Sequence, residues 1–222
     1  MFYWLIKALA WPVVTIYLRF RRYGRKHVPA KGPCIVVANH VSYLDPTVLG
    51  SACPRKLRFL IGRHIYGPLQ MRWFYYMMDT IPVSTGSPDL AALRRAMEAL
   101  RAGCAIGVFP EGARMPDGRI GEGKVGAAFL AARSGAPVVP AAIVGTHRAM
   151  PVGARFPLPL PVKVFFGEPI LFPEEIDKPR KEDLDAFADR VMKMIASLIA
   201  SAEPSESPDK PALAGDSGEP LR

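Results

Sequence analysis

The stretch "CIVVANHVSYLDP", residues 34–46, decides how the rest of the chain is read. Residues 34–38 are apolar and rich in β-branched side chains, the composition of a strand buried on both faces. Asn39 and His40 follow at once, and a carboxylate, Asp45, stands five positions after His40. On one straight helix, five steps of about 100° would point the two side chains well over a quarter-turn apart. If they touch, at least one lies in the turn between strand and helix. Pro46 supports this, because it disfavours helical geometry at Asp45. A carboxylate against one imidazole nitrogen fixes the tautomer and leaves the other nitrogen free as a base. Taken by itself, the pair reads more readily as a helix cap or a satisfied polar pair in the core.

Working outward, further strand-like runs occur at residues 57–61, 80–84, 104–109, 137–143 and 162–167. Between them "SPDLAALRRAMEALRAG" reads as a helix capped by Ser87, with Pro88 in its first turn and Gly103 at its end. "GKVGAAFLAARSG" is a second helix, closed by Gly135. Near the C-terminus, Leu184, Phe187, Val191, Ile195 and Leu198 recur at helical spacing. The alternation predicts a single α/β domain, residues 27–201, with a largely parallel sheet flanked by helices. Residues 202–222 are rich in Pro, Ser and Gly and read as a disordered tail. Strands of such a sheet end at functional crevices outside their carboxyl ends. Asn39 and His40 stand at such an end.

The chain has 222 residues, enough for one domain with a substantial core. Three cysteines, Cys34, Cys53 and Cys104, have no framework spacing and read as reduced, small core residues. No "GxSxG" elbow is present, so an acceptor hydroxyl attacking directly is favoured over an acyl-enzyme. His27, His64 and His147 are scattered without paired-ligand spacing, so no metal is expected.

The formal charge is +9, and no Asp or Glu precedes Asp45. The chain opens "MFYWLIKALAWPVVTIYLRFRRYGRK", apolar and aromatic but broken by Lys7 and Pro12 and ended by Arg19. A membrane span needs roughly twenty uninterrupted apolar residues. No small-residue cleavage site follows, which argues against a signal peptide. Residues 1–26 read as an N-terminal amphipathic membrane-surface helical anchor, its aromatics at headgroup level and its arginines on anionic lipid. A terminal helix packed on the core is the other reading. Nucleic-acid binding lacks an accompanying recognition motif. The expected location is the cytoplasmic face of the cell membrane, peripheral or monotopic.

A second patch, "VFPEGARMPDGRIGEGKVGA", follows the strand ending at Phe109. Pro110, Gly112, Pro116 and Gly118 mark a tight loop carrying Glu111, Arg114, Arg119 and Lys124. It reads either as a site for an anionic group, with Arg114 able to grip a phosphate by two donors, or as a solvated charged loop.

Together, "NHVSYLD" and, about 65 residues later, "FPEGAR" resemble the first and third blocks of the PlsC-like glycerolipid acyltransferases, the 1-acylglycerol-3-phosphate acyltransferase family. "APVVPAAIVGT" resembles a further block, and "GEP", residues 167–169, a late signature. The resemblance implies transfer of a fatty acyl group from a thioester, on coenzyme A or acyl carrier protein, to the free hydroxyl of a lysoglycerophospholipid. The first expectation for that acceptor is 1-acyl-sn-glycerol-3-phosphate, giving phosphatidic acid. By resemblance His40 is the general base and Asp45 its orienting partner. Glu111, Gly112 and Arg114 would line the acceptor and phosphate site, Lys124 joins them on the charge of its loop alone, and no metal or organic cofactor is implied. Two departures stand out. Ala113 occupies the usual Thr position of the third block. "DTIPVST", residues 79–85, replaces "G-x-I-P-V-D-R", with Asp79 at the glycine and Thr85 at the arginine. The alternatives are another lysolipid or lyso-amino-acid lipid as acceptor, a non-catalytic membrane lipid-binding protein, or a thioesterase.

Overall fold

The computed structural model describes residues 8, 11–63, 78–84, 89–115, 118–151, 153–174, 176 and 178–202. Ser87, Pro88, Thr85, His64, Pro116, most of residues 1–10 and the tail beyond Ala202 lie outside the described residues. The strands are β1 (Arg21–Tyr23), β2 (Cys34–Ala38), β3 (Leu57–Gly62), β4 (Ile81–Val83), β5 (Ala105–Val108), β6 (Val138–Val144) and β7 (Lys163–Phe166). The α-helices are α1 (Asp45–Ala52), α2 (Leu90–Arg101), α3 (Gly126–Ser134), α4 (Thr146–Ala149) and α5 (Lys181–Ala202).

These strands form one sheet in the order β1-β7-β6-β2-β5-β3-β4. All neighbours are parallel except β6 and β7, so β1 and β7 run against the other five. The six strand-like runs read from the sequence are therefore strands, within a residue or two at each end. Strand β2 sits between β6 and β5, with Val36 opposite Val139 on one side and Gly107 on the other. Its side chains alternate between two cores. Ile35 and Val37 join the α2, α3 and α5 helices on one face, while Cys34, Val36 and Ala38 join α1 and β7 on the other. All five residues are buried, which is why the run is apolar without alternation. Truncating a side chain such as Ile35 to alanine costs about 2–5 kcal/mol by the usual core values.

Three local expectations change. The α2 helix is capped by Asp89, whose Oδ1 accepts the N–H of Ala92 at 2.9 Å while Oδ2 accepts that of Ser84 at 2.8 Å. The cap thus falls on the residue that can reach both the helix and the end of β4, rather than on Ser87. Asp45 is the first residue of α1 and Pro46 the second, so the proline sits within the first turn instead of keeping Asp45 out of it. In the first turn its missing N–H costs nothing. Thirdly, the sheet takes in residues assigned above to the anchor. Leu18 and Phe20 are buried, and Arg21–Tyr23 pairs with β7. No helix among the described residues is long and apolar enough to cross a membrane.

Asp79 occupies the position where the resembling family has glycine, and the reason is visible in the backbone. Its φ is +59°, the left-handed region that most side chains avoid and that Asp tolerates best after Gly and Asn. Its carboxylate is held by Lys56 at 3.0 Å and by Arg58 at 2.8 Å. A salt-bridged aspartate thus stands in this turn where the resembling family has glycine.

Candidate active site

Strands β2, β5 and β6 are parallel, so their carboxyl ends share one edge of the sheet. Asn39 leaves β2 there and ties it to β6. Its Nδ2 donates to Ile143 O at 3.0 Å, and its Oδ1 accepts the Ile143 N–H at 2.8 Å. This closed pair fixes where the chain turns. His40 comes next, in the turn, and Asp45 reaches back from the first turn of α1.

His40 Nδ1 lies 2.9 Å from Asp45 Oδ2. The same oxygen accepts the N–H groups of Val41 and Ser42, each at 2.7 Å. Asp45 is fully buried, whereas the His40 side chain keeps 16% of its exposure. A carboxylate held by two amides has only acceptor capacity to offer the ring, so Nδ1 carries the proton and Nε2 has its lone pair free. Among the described residues Nε2 makes no hydrogen bond. The five-residue spacing therefore serves as read: His40 stays in the turn, and the turn's own amides orient the carboxylate.

The ring is stacked as well as bonded. Phe109 lies against His40 with centroids 4.3 Å apart and 22° between planes, and Phe59 continues the column at 5.9 Å from Phe109. Phe59 pairs across strands with Gly107. A Cβ on Gly107 would come within 2.6 Å of the Phe59 ring, so only glycine lets that ring lie flat on β5.

The second patch closes over the first. Glu111, buried, accepts the backbone N–H of His40 on Oε1 at 3.1 Å. Met115 donates its N–H to the carbonyl of His40 at 2.8 Å. The loop thus grips the histidine's backbone from both sides. Gly112 has φ +70°, and a Cβ there would lie 2.5 Å from Lys124 Nζ, so the amine crosses close over bare backbone. Arg114 stacks its guanidinium 3.4 Å from the centroid of Tyr43 and donates from Nη2 to the Tyr43 hydroxyl at 2.8 Å. Its Nη1 is shielded from solvent and has no partner among the described residues. His40, Asp45, Glu111, Gly112, Arg114 and Lys124 all belong to this one end of the sheet.

Sequence reading missed Phe59, Phe109 and Tyr43 as parts of the site. Tyr43 had a signal in its position, an aromatic inside the polar turn "NHVSYLD", and the structure leaves it 56% exposed. The phenylalanines had none, because they look like ordinary strand residues. Cys34 lies at the opposite end of β2 from His40, and burial pushes its thiol up to about 11. It is protonated at neutral pH and remote from the histidine. Among the described residues no three of His, Cys, Asp or Glu come together as a metal site.

A family model described as Acyltransferase matches residues 19–144. The chain is similar to a chloroplastic 1-acyl-sn-glycerol-3-phosphate acyltransferase of Brassica napus, 34% identical over 153 residues, which cover 67% of this chain and 44% of that one. It is similar to the 1-acyl-sn-glycerol-3-phosphate acyltransferase of Pseudomonas aeruginosa, 29% identical over 58% of this chain and 51% of the relative. The chain thus spans about half the length of these curated relatives. The crystal structure of the 1-acyl-sn-glycerophosphate acyltransferase PlsC from Thermotoga maritima superposes with a TM-score of 0.72 at 25% identity, covering 89% of this chain and 80% of that one. The matched segment runs from the residue before Phe20 to the last residue of β6 and contains both loops that meet at His40, and on this basis the chain belongs to the acyltransferase family.

Proposed function

We propose that this chain moves a fatty acyl group from an acyl thioester to the free hydroxyl of a lysoglycerophospholipid, with 1-acyl-sn-glycerol-3-phosphate as acceptor and phosphatidic acid as product. The observation that carries this reading is the His40–Asp45 pair, with Nδ1 2.9 Å from the carboxylate and no hydrogen bond at Nε2 among the described residues. In the proposed reaction Nε2 takes the proton of the acceptor hydroxyl as its oxygen attacks the thioester carbonyl carbon. The C–S bond then breaks, and the leaving thiolate receives that proton from the imidazolium. Buried Asp45 stabilises the charge that forms on the ring meanwhile. Arg114 and Lys124 supply cationic donors for the acceptor's phosphate, Arg114 through an Nη1 that has no partner among the described residues. The similarity to 1-acyl-sn-glycerol-3-phosphate acyltransferases of Brassica napus and Pseudomonas aeruginosa supports this acceptor. Coenzyme A and acyl carrier protein are the two donor carriers to compare.

The membrane reading of residues 1–17 is part of the same proposal. It puts the protein peripherally on the cytoplasmic face of the cell membrane, where a lysolipid acceptor is found. One observation favours a second acceptor. Thr85 stands where the resembling family has a phosphate-associated arginine, and a hydroxyl offers one neutral donor in place of a charged fork.

The deciding experiment incubates the purified chain with labelled acyl-CoA or acyl carrier protein, with and without a panel of lysolipids. Transfer that depends on lysophosphatidic acid supports the proposal. Transfer only to another lysolipid reassigns the acceptor, free fatty acid without an acceptor marks a thioesterase, and no turnover marks a binding protein.

A further inference from the structure

The loop between α4 and β7 exposes what a folded protein usually hides. Phe156 is 80% exposed, Leu158 52% and Leu160 36%. It lies beside the last turn of the N-terminal segment, where Ile16 is 77% and Tyr17 42% exposed. The two are joined directly. The Tyr17 hydroxyl donates to Pro157 O at 2.9 Å, and Val162 donates its N–H to Leu18 O at 3.0 Å. Two apolar segments far apart in sequence thus present one surface, which is the signature of an interaction site.

The backbone of this loop is unusual in a way that selects the partner. Pro157, Pro159 and Pro161 have no N–H. Leu158 donates to Ala149 O at 2.6 Å, Leu160 to Leu158 O at 2.8 Å, and Val162 to Leu18 O. From 157 to 162 no backbone donor is left over. A loop facing water has no need of this, whereas a backbone entering a lipid phase pays several kcal/mol for each unsatisfied group. Charge points the same way. No Asp or Glu occurs between Glu122 and Glu168, nor before Asp45, while Arg19, Arg21, Arg148 and Arg155 are exposed in these two segments. Apolar side chains on segments that carry exposed arginines and no carboxylate of their own complement an anionic bilayer.

We propose that residues 153–161 form a second membrane-contact element, inserting Phe156 and Leu158 into the interfacial layer of an anionic leaflet beside Ile16 and Tyr17. The element is coupled to the histidine. Ser42, whose N–H bonds Asp45, donates its hydroxyl to Met150 O at 2.9 Å, just before the loop. Two contacts from separate segments fix the tilt of the domain on the membrane, where a single anchor leaves it free to swivel. The His40 edge is then held at one height above the lipid. This extends the membrane reading of residues 1–17, and binding is measured without turnover, so the two can fail separately.

The test uses the full chain and phosphatidylcholine vesicles containing phosphatidylglycerol. Phe156→Ser with Leu158→Ser is expected to weaken vesicle binding about tenfold or more while leaving the Tm unchanged, since both side chains are exposed. An environment-sensitive fluorophore attached through Phe156→Cys, in a chain carrying Cys104→Ser, is expected to shift to the blue when vesicles are added. Unchanged affinity of the double variant overturns the proposal. So does a probe that stays in water while the chain is vesicle-bound, which would leave residues 1–17 as the only anchor. If the double variant instead dissociates a dimer by sedimentation and binds vesicles as before, the surface is an interface between copies and the proposal falls.

Discussion

Asp45 Oδ2 lies 2.9 Å from Nδ1 of His40 and takes the N–H groups of Val41 and Ser42 on the same atom, so one oxygen both builds the turn and orients the ring. The two functions separate by mutation. His40→Ala is expected to reduce acyl transfer about 10²- to 10⁴-fold, the usual loss for a general base, with little change in Tm. Asp45→Asn is expected to reduce transfer and Tm together. It replaces hydrogen bonds to a charged acceptor, roughly 1.5–3 kcal/mol each, with neutral ones of about half that strength. For a domain of this size each kcal/mol lost lowers the Tm by about 2–4 °C. Turnover near wild type in His40→Ala, with unchanged circular dichroism, would remove the base assignment.

Glu111 touches the backbone of His40, with Oε1 accepting that N–H at 3.1 Å. If its main work is to hold the turn, Glu111→Ala lowers kcat about tenfold and leaves the acceptor KM within about twofold. Glu111→Gln keeps the carbonyl acceptor and recovers most of kcat. A rise in KM with constant kcat in both variants would show instead that the carboxylate grips the acceptor.

The column of Phe59, Phe109 and His40 starts from a missing side chain. A methyl group at Gly107 would meet the Phe59 ring at 2.6 Å. Gly107→Ala is therefore expected to displace the stack, lowering kcat about tenfold and stability by about 1–3 kcal/mol, as overpacking does. The companion change Phe59→Leu in the Gly107→Ala background frees the space, and part of the lost stability should return. Denaturation midpoints of the two variants check this, and equal midpoints would refute the stacking account.

Arg114 is held by Tyr43 through both its π face and its hydroxyl. Arg114→Ala is expected to raise the KM for an anionic lysolipid tenfold or more, since a charged hydrogen bond is lost. Tyr43→Phe keeps the stacking face and should cost no more than about threefold. Equal losses in the two variants would mean that the hydroxyl, and not the guanidinium, meets the acceptor.

Asp89 gives a pH signature outside the site. The N–H of Ala92 first, and Ser84 next, hold its carboxyl down to about 2 from an ordinary 3.8. A carboxyl lowered on folding contributes stability that is complete above the unfolded value and is lost as pH falls through the folded one. The Tm advantage of wild type over Asp89→Asn is therefore expected to be constant above about pH 5 and to close between about pH 4 and pH 2. A difference that stays constant down to pH 2 would contradict the assignment of the cap.

The sequence by itself determined six of the seven strands and a largely parallel sheet, each from a local signal, while the pairing of the two loops was legible only through their resemblance to family blocks. Residues 34–38 are apolar because both faces of β2 are covered, and "NHVSYLD" carries its own turn, since the amides of Val41 and Ser42 reach Asp45 within four residues. Gly135 and the periodic apolar face of Lys181–Ala202 are equally local. Only the tertiary structure decided the rest, because it depends on neighbours distant in the chain. Arg21–Tyr23 has no strand-like composition and becomes a strand because β7 offers it a free edge of backbone donors and acceptors. Leu18 and Phe20 look like the end of a lipid-seeking segment, yet they fill a core that β6 and β7 complete from more than a hundred residues away. The Phe59–Phe109–His40 column joins the middle of β3 to the ends of β5 and β2 over a glycine whose role is legible only once the ring lies on it. Arg114 and Tyr43 are 71 residues apart, and no periodicity in either segment foretells their contact. Local chemistry chooses the elements, while the close packing of a two-faced sheet chooses which side chains meet at its end.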